Sequence, residues 1–384
     1  MIPLPTIKAA NSNLATRLPS PICVFVGGTT GIGSFTLKQL AASTVSPKVY
    51  YIGRTPGNAT VLQKELEDIN PQGTYVFLQC DVLSIKAVDE CCRRISEREV
   101  EVNLLWLSAG ALRSGMPGAY IHMHLYLHFV HFVKLMTSLP IDTSEGLNWM
   151  AAISYYGQVR FITKLLPLLK RSAANDHFTR VIRILAGGLE KPLDPHDLDM
   201  RNGSLIRGRQ MHTTITTVAF DQLAHENPEI SFVHAFAGFV KTEGQKFPGL
   251  MSLIIRSVMW IAGSWLLIPP EESGERNLFY ATSEIYPPAA VGAETANTGK
   301  GGAGAEESEH TGKEKRKDEG EEVAVGLDGV KGSGCYTLHW DGTAKSGNKV
   351  LLEYRESGFR EKVWEHTLAV YRNIEKQWKS DGAA

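Results

Sequence analysis

Gly27-Gly28-Thr29-Thr30-Gly31-Ile32-Gly33 stands directly after the apolar run Ile22-Cys23-Val24-Phe25-Val26 and directly before Ser34 to Leu40. The order predicts a buried strand, a tight turn and the start of a helix. Gly27, Gly31 and Gly33 let the backbone turn sharply and let a ligand approach with no Cβ in the way; Thr29, Thr30 and Ile32 complete the turn. The helix that follows offers unpaired N–H groups and the positive end of its dipole. That combination suits the pyrophosphate of a dinucleotide.

Three more apolar runs extend the pattern outward. Lys48-Val49-Tyr50-Tyr51-Ile52 ends in Gly53-Arg54. An acidic residue at this strand end would accept the ribose hydroxyls of NAD, whereas a guanidinium pairs with the 2′-phosphate of NADP, so Arg54 selects NADP(H). Tyr75 to Gln79 closes with Cys80-Asp81-Val82, and Val102-Asn103-Leu104-Leu105-Trp106-Leu107 closes with Ser108-Ala109-Gly110. Buried strands alternating with helical stretches predict an α/β fold with a doubly wound parallel sheet.

On these residues the chain resembles the short-chain dehydrogenase/reductase family, from about Pro21 to Tyr286 and again from near Gly334. The resemblance implies a Rossmann fold in a single domain. It implies that Gly27, Thr29, Thr30, Gly31, Ile32 and Gly33 bind the cofactor and that Asp81, followed by Val82, meets the adenine ring. Ser108-Ala109-Gly110 would support the ribose, with serine in place of the family's asparagine. Ala237-Gly238-Phe239-Val240-Lys241-Thr242 matches the segment after the sixth strand with its proline lost, and Thr242 would touch the nicotinamide carboxamide. Leu165-Leu166-Pro167-Leu168-Leu169 and the stretch Pro269 to Arg276 look like reductases of fungal secondary metabolism.

The family's catalytic set does not carry over. Relatives use a Tyr as general acid, a Lys four residues later that lowers its pKa, a Ser that polarises the carbonyl and an Asn that holds a relay water. Here Ala186 stands at the serine position and Ser154 at the asparagine position, and Arg209 to Thr216 has no Tyr-x-x-x-Lys. No tyrosine occurs between Tyr156 and Tyr280, so a small shift of alignment restores nothing. A positioned acid contributes ~10²–10⁴ in rate, or roughly 3–5 kcal/mol, and hydride positioning survives its loss. His212 is the available replacement, because imidazole titrates near pH 6.5 and can donate a proton at neutral pH. Thr213, Thr214, Thr216 and Thr217 could offer hydroxyls to a carbonyl.

Composition fits an enzyme-sized core. The 384 residues are 43% hydrophobic and 21% charged with a net charge of −1, which excludes a global basic field for nucleic acid. Five cysteines without a Cys-x-x-Cys pair suit a reduced, cytoplasmic setting. Residues 1–20, with Asn11, Asn13 and Arg17, lack a secretory core and read as a loose extension.

Residues 21–286 form the expected nucleotide-binding unit, with two departures inside it. Residues 112–139 read as an insertion. Of His122, His124, His128 and His131, His124 shares a helical face with His128 and His128 with His131, but no acidic or cysteine ligand follows until Asp142, so no metal is assigned. A retained intron explains this stretch at least as well. Residues 247–268 are apolar, broken mainly by Arg256, and sit where relatives carry a mobile lid; they imply a hydrophobic small-molecule substrate. They are too interrupted to span a bilayer comfortably, yet peripheral membrane contact is open to such a helix. Residues 287–333, rich in Gly, Ala, Glu and Lys, read as a disordered linker, and 334–384 as the last strand and a terminal helix of the same domain.

The stripe Tyr155, Val159, Ile162, Leu166, Leu169 matches a helix that joins a homodimer interface in relatives, and equally one that packs into a core. The loop Asp194 to Asp199 reads as solvated rather than metal-binding. Two function classes remain. One is an NADP(H)-dependent oxidoreductase acting on a carbonyl or enone of a hydrophobic intermediate. The other is a non-redox descendant, either a cyclase or isomerase or an NADP(H)-binding regulator.

Overall fold

The computed structural model describes residues 1–110, 142–201, 205–240, 267–292 and 322–381. Eight strands build one sheet: β1 (Ile22–Val26), β2 (Lys48–Gly53), β3 (Thr74–Gln79), β4 (Leu104–Leu107), β5 (Arg180–Ile184), β6 (Ser231–Ala235), β7 (Cys335–Leu338) and β8 (Ala344–Lys345). Their spatial order is β3-β2-β1-β4-β5-β6-β7-β8, and every pairing is parallel except β7 with β8. Strands covered on both faces need apolar side chains at nearly every position, which is why β1 and β4 read as unbroken hydrophobic runs.

Helices cover each face. On one lie α1 (Leu4–Ser12), the short α2 (Leu14–Arg17), α3 (Gly31–Ser43), α4 (Pro56–Ile69) and, later in the chain, α8 (Pro270–Thr282); their buried residues join Cys23, Phe25, Trp106 and Ile182. On the other lie α5 (Ile85–Ser96), α6 (Gly157–Ala174), α7 (Leu205–Glu226), α9 (Lys349–Glu356) and α10 (Phe359–Asp381), packed with Val24, Leu105 and Val181. A π turn, Ala152–Tyr156, leads into α6. From β1 the chain winds one way to β2 and β3, and from β4 the other way to β5 and β6. The crevice at the carboxyl ends of β1 and β4 is therefore the switch point where such sheets bind ligands.

Two sequence expectations are corrected. Residues 4–17 are not a loose extension: Ile7 and Leu14 are fully buried, and Asn11 Nδ2 donates to the Glu275 carbonyl (2.9 Å) and carboxylate (2.7 Å) on α8. The linker expected over 287–333 is structured in its last part. Val325 bridges Lys331, Leu327 is buried, and the Leu327 amide donates to Cys335 O at 2.8 Å. Residues 112–139, most of 247–268 and residues 293–321 of the linker lie outside the described residues.

The α6 stripe is consumed within the chain. Val159, Ile162 and Leu169 are buried in one cluster with Val363, Trp364, Tyr371 and Ile374 of α10. Tyr155 Oη meets Thr367 Oγ1 at 2.7 Å, and Tyr371 Oη donates to Tyr156 O at 2.7 Å. The core alternative thus describes this stripe. All five cysteines are buried and free, and no described helix is long and apolar enough to cross a membrane.

Candidate active site

The glycine turn closes against the end of β4. Gly27 has φ +88° and Gly31 φ +60°, a region that side chains rarely adopt. A Cβ on Gly27 would lie 2.4 Å from Ala109 N, and one on Gly33 would lie 2.4 Å from Gly27 O. Ser108 joins the two. Its amide donates to Val26 O (2.8 Å), its hydroxyl lies 3.2 Å from Gly27 O, and it accepts from Trp106 Nε1 (2.9 Å).

The same turn reaches β2. A Cβ on Gly53 would lie 2.6 Å from Thr29 Cγ2, so Thr29 rests on the strand end that carries Arg54. Arg54 is exposed and forms no ion pair among the described residues. Thr30 is the N-cap of α3 with no side-chain cap, which leaves the first amides of the helix for an anion, and Ile32 packs inward beside them. Asp81 is exposed after β3, and its Oδ1 accepts from Leu83 N at 3.1 Å. Val82 is buried, with its carbonyl against Gly157 of α6, where a Cβ would approach to 2.3 Å. The turn, Arg54, Asp81, Val82 and Ser108-Ala109-Gly110 thus line the carboxyl ends of four adjacent strands. Thr242 lies outside the described residues.

His212 is buried on α7, and neither ring nitrogen has a hydrogen-bond partner among the described residues. Burial first, then the positive charges of Arg183 and Arg209, push its pKa down to about 3. The expectation of a histidine titrating near pH 6.5 is therefore corrected: at neutral pH the ring is neutral and holds a single N–H. The four threonines of α7 are also engaged. Thr213 donates to Arg209 O (2.9 Å), Thr214 to Lys191 O (2.7 Å), Thr216 to His212 O (2.7 Å) and Thr217 to Glu190 Oε1 (2.7 Å).

Other residues bear on the site without being evident in the sequence. His234 of β6 accepts from Ala186 N at Nε2 (3.3 Å), so its proton sits on Nδ1 and faces Thr217 Oγ1 (2.7 Å). Glu190 Oε1 also accepts from Gly188 N (2.9 Å), so a buried His-Thr-Glu chain holds the loop after β5. Arg183, in mid-strand, donates to Leu107 O, Ala109 O and Ser154 O. Leu189 and Phe239 are 50% and 63% exposed on the loops after β5 and β6, an apolar rim on the side of the glycine turn. A groove of about 760 Å³ along α5, lined in part by Lys86, Asp89 and Lys164, holds none of these groups.

No family model matches the chain. It is similar to an oxidoreductase of Emericella nidulans, 32% identical over 376 residues that cover 96% of this chain and 97% of that protein. The oxidoreductase andH of Emericella variicolor is 30% identical, covering 97% of each. A short-chain dehydrogenase/reductase of Stachybotrys chartarum, SAT2, is 26% identical over 97% of this chain and 98% of that one. The chain belongs to the short-chain dehydrogenase/reductase family. Solved structures agree on the fold of this oxidoreductase: the Pseudomonas aeruginosa RhlG/NADP active-site complex superposes with a TM-score of 0.50 at 16% identity, covering 72% of this chain and 94% of that one. The structure of gox2181 gives 0.51 at 16% identity, over 73% and 93%.

Proposed function

We propose that this oxidoreductase uses NADP(H) and reduces a carbonyl or enone of a hydrophobic small molecule. The observation that carries the reading is the Cβ-free approach of Gly27 to Ala109, beside an uncapped α3 N-terminus and an Arg54 with no acidic partner among the described residues. These groups fit a dinucleotide diphosphate with a further phosphate on its adenosine ribose. Bound NADPH supplies the hydride. The chain's own part is to hold the phosphates at Gly27, Gly31 and Gly33, to receive the 2′-phosphate at Arg54 and to present the ribose to Ser108-Ala109-Gly110.

His212 then acts as a neutral hydrogen-bond donor to the substrate oxygen rather than as an imidazolium acid. Water supplies the proton once the alkoxide forms. A neutral imidazole N–H is a competent electrophile for a carbonyl. Leu189 and Phe239 support an apolar substrate, as does the composition of residues 247–268. The non-redox alternative has less support, because relatives matched over nearly their whole length are named oxidoreductases.

The test is transfer of label from 4-deuterated NADPH to a panel of hydrophobic ketones and enones. Deuterium in the product is expected, with turnover lowered on the order of 10²-fold in His212→Ala, the cost of removing one such donor. Undiminished turnover in His212→Ala would exclude the histidine. NADPH binding without label transfer to any acceptor would favour the non-redox reading.

A further inference from the structure

We infer that Arg183 and Gln158 are positioning residues for the nicotinamide half of the cofactor, and that they act through Ala109. This rests on the cofactor reading above. Ala109 is held between two structures. On one side Gly27 approaches its backbone nitrogen so closely that no side chain fits between them. On the other its carbonyl oxygen accepts from Gln158 Nε2 (3.1 Å) and from Arg183 Nη2 (3.3 Å), which fills both lone pairs.

The π turn explains why these two side chains are there. A π turn breaks the regular pairing of helix carbonyls and leaves some of them in need of outside donors. Here the second proton of Gln158 Nε2 goes to Ile153 O (3.1 Å), and the second proton of Arg183 Nη2 goes to Ser154 O (3.2 Å). Arg183 Nη1 adds Leu107 O at 3.1 Å. Two NH2 groups thus spend all four protons tying the π turn to the end of β4. The peptide that joins Ala109 to Gly110 is pinned, so the Gly110 amide is aimed in one direction. Among the described residues, a Cβ on Gly110 would meet only Ser108 O, at 4.0 Å.

Arg183 is 1% exposed, no carboxylate pairs with it among the described residues, and its Nε has no partner. A buried cation without a carboxylate partner is costly and carbonyl acceptors offset that cost only in part, so its presence here fits a positioning role. That role is the orientation of the segment beside the nicotinamide ribose, whereas the adenosine half meets Arg54 and Asp81 elsewhere.

The experiment titrates NADPH and adenosine 2′,5′-bisphosphate, the adenosine half alone, into the wild type, Arg183→Met and Gln158→Leu. The expected result is a loss of about tenfold or more in NADPH affinity in both variants, with the half-ligand within about twofold of wild type. Circular dichroism establishes that each variant is folded, and if Arg183→Met is not, Gln158→Leu carries the same expectation. Parallel loss of both ligands, or no loss of either, would overturn the inference while leaving the cofactor reading in place. A wild type that binds neither ligand would overturn the cofactor reading itself.

Discussion

A histidine in water takes up a proton near pH 6.5, but the rings of His212 and His234 stay neutral down to about pH 3, held there by burial and by Arg183. The unfolded chain gains both protons on acidification and the folded chain does not. Stability therefore rises with pH between about 3 and 6.5 and is level above that range. Each ring is expected to cost about 2 kcal/mol at pH 5 relative to pH 7. Urea unfolding at the two pH values measures the sum. His212→Leu, which removes a ring with no partners, should relieve one histidine's share of the acid loss; an unchanged acid loss in that variant would mean that the ring is not buried neutral.

At the level of elements, the glycine turn, β1, β2, β3 and β4 are legible in the sequence, because strands buried on both faces are continuous apolar runs and the turn between β1 and α3 needs glycine. The turn should not tolerate a side chain. Gly27→Ala combines a positive φ with a 2.4 Å approach to Ala109 N, so it is expected to cost at least about 1–3 kcal/mol and to weaken nucleotide binding together with stability. Thermal unfolding with and without NADPH checks both. Gly57, around which a Cβ meets nothing within 4 Å among the described residues, is the control. Other features are not legible. The run Arg180 to Ala186 reads as the fifth strand, as β5 proves to be, but the role of Arg183 within it depends on three carbonyls, Leu107 O, Ala109 O and Ser154 O, that only the fold brings around it. Helix α1 carries polar Asn11 and Ser12, and its burial depends on Glu275, which lies 264 residues later in the chain.

Across the whole molecule, one sheet brings four strand ends together, and with them every expected cofactor residue within the described part of the chain. On the proposed reading, this oxidoreductase holds its dinucleotide in that frame and works without the tyrosine, lysine and serine that the family resemblance implies. The C-terminal helices reinforce that frame. Tyr354 Oη accepts from Leu193 N (2.7 Å), and His366 Nε2 lies 3.1 Å from Asp199 Oδ1, so α9 and α10 brace the loop between β5 and α7. That bracing was not legible either, since it joins residues more than a hundred positions apart through single polar contacts. The most direct test is calorimetric titration of the wild type and Arg54→Ala with NADPH and with NADH. The expected result is one nucleotide per chain, with NADPH preferred by the wild type and that preference largely lost in Arg54→Ala. Failure of the wild type to bind either nucleotide would contradict the cofactor site, and equal effects of Arg54→Ala on both nucleotides would contradict its assignment to NADP(H).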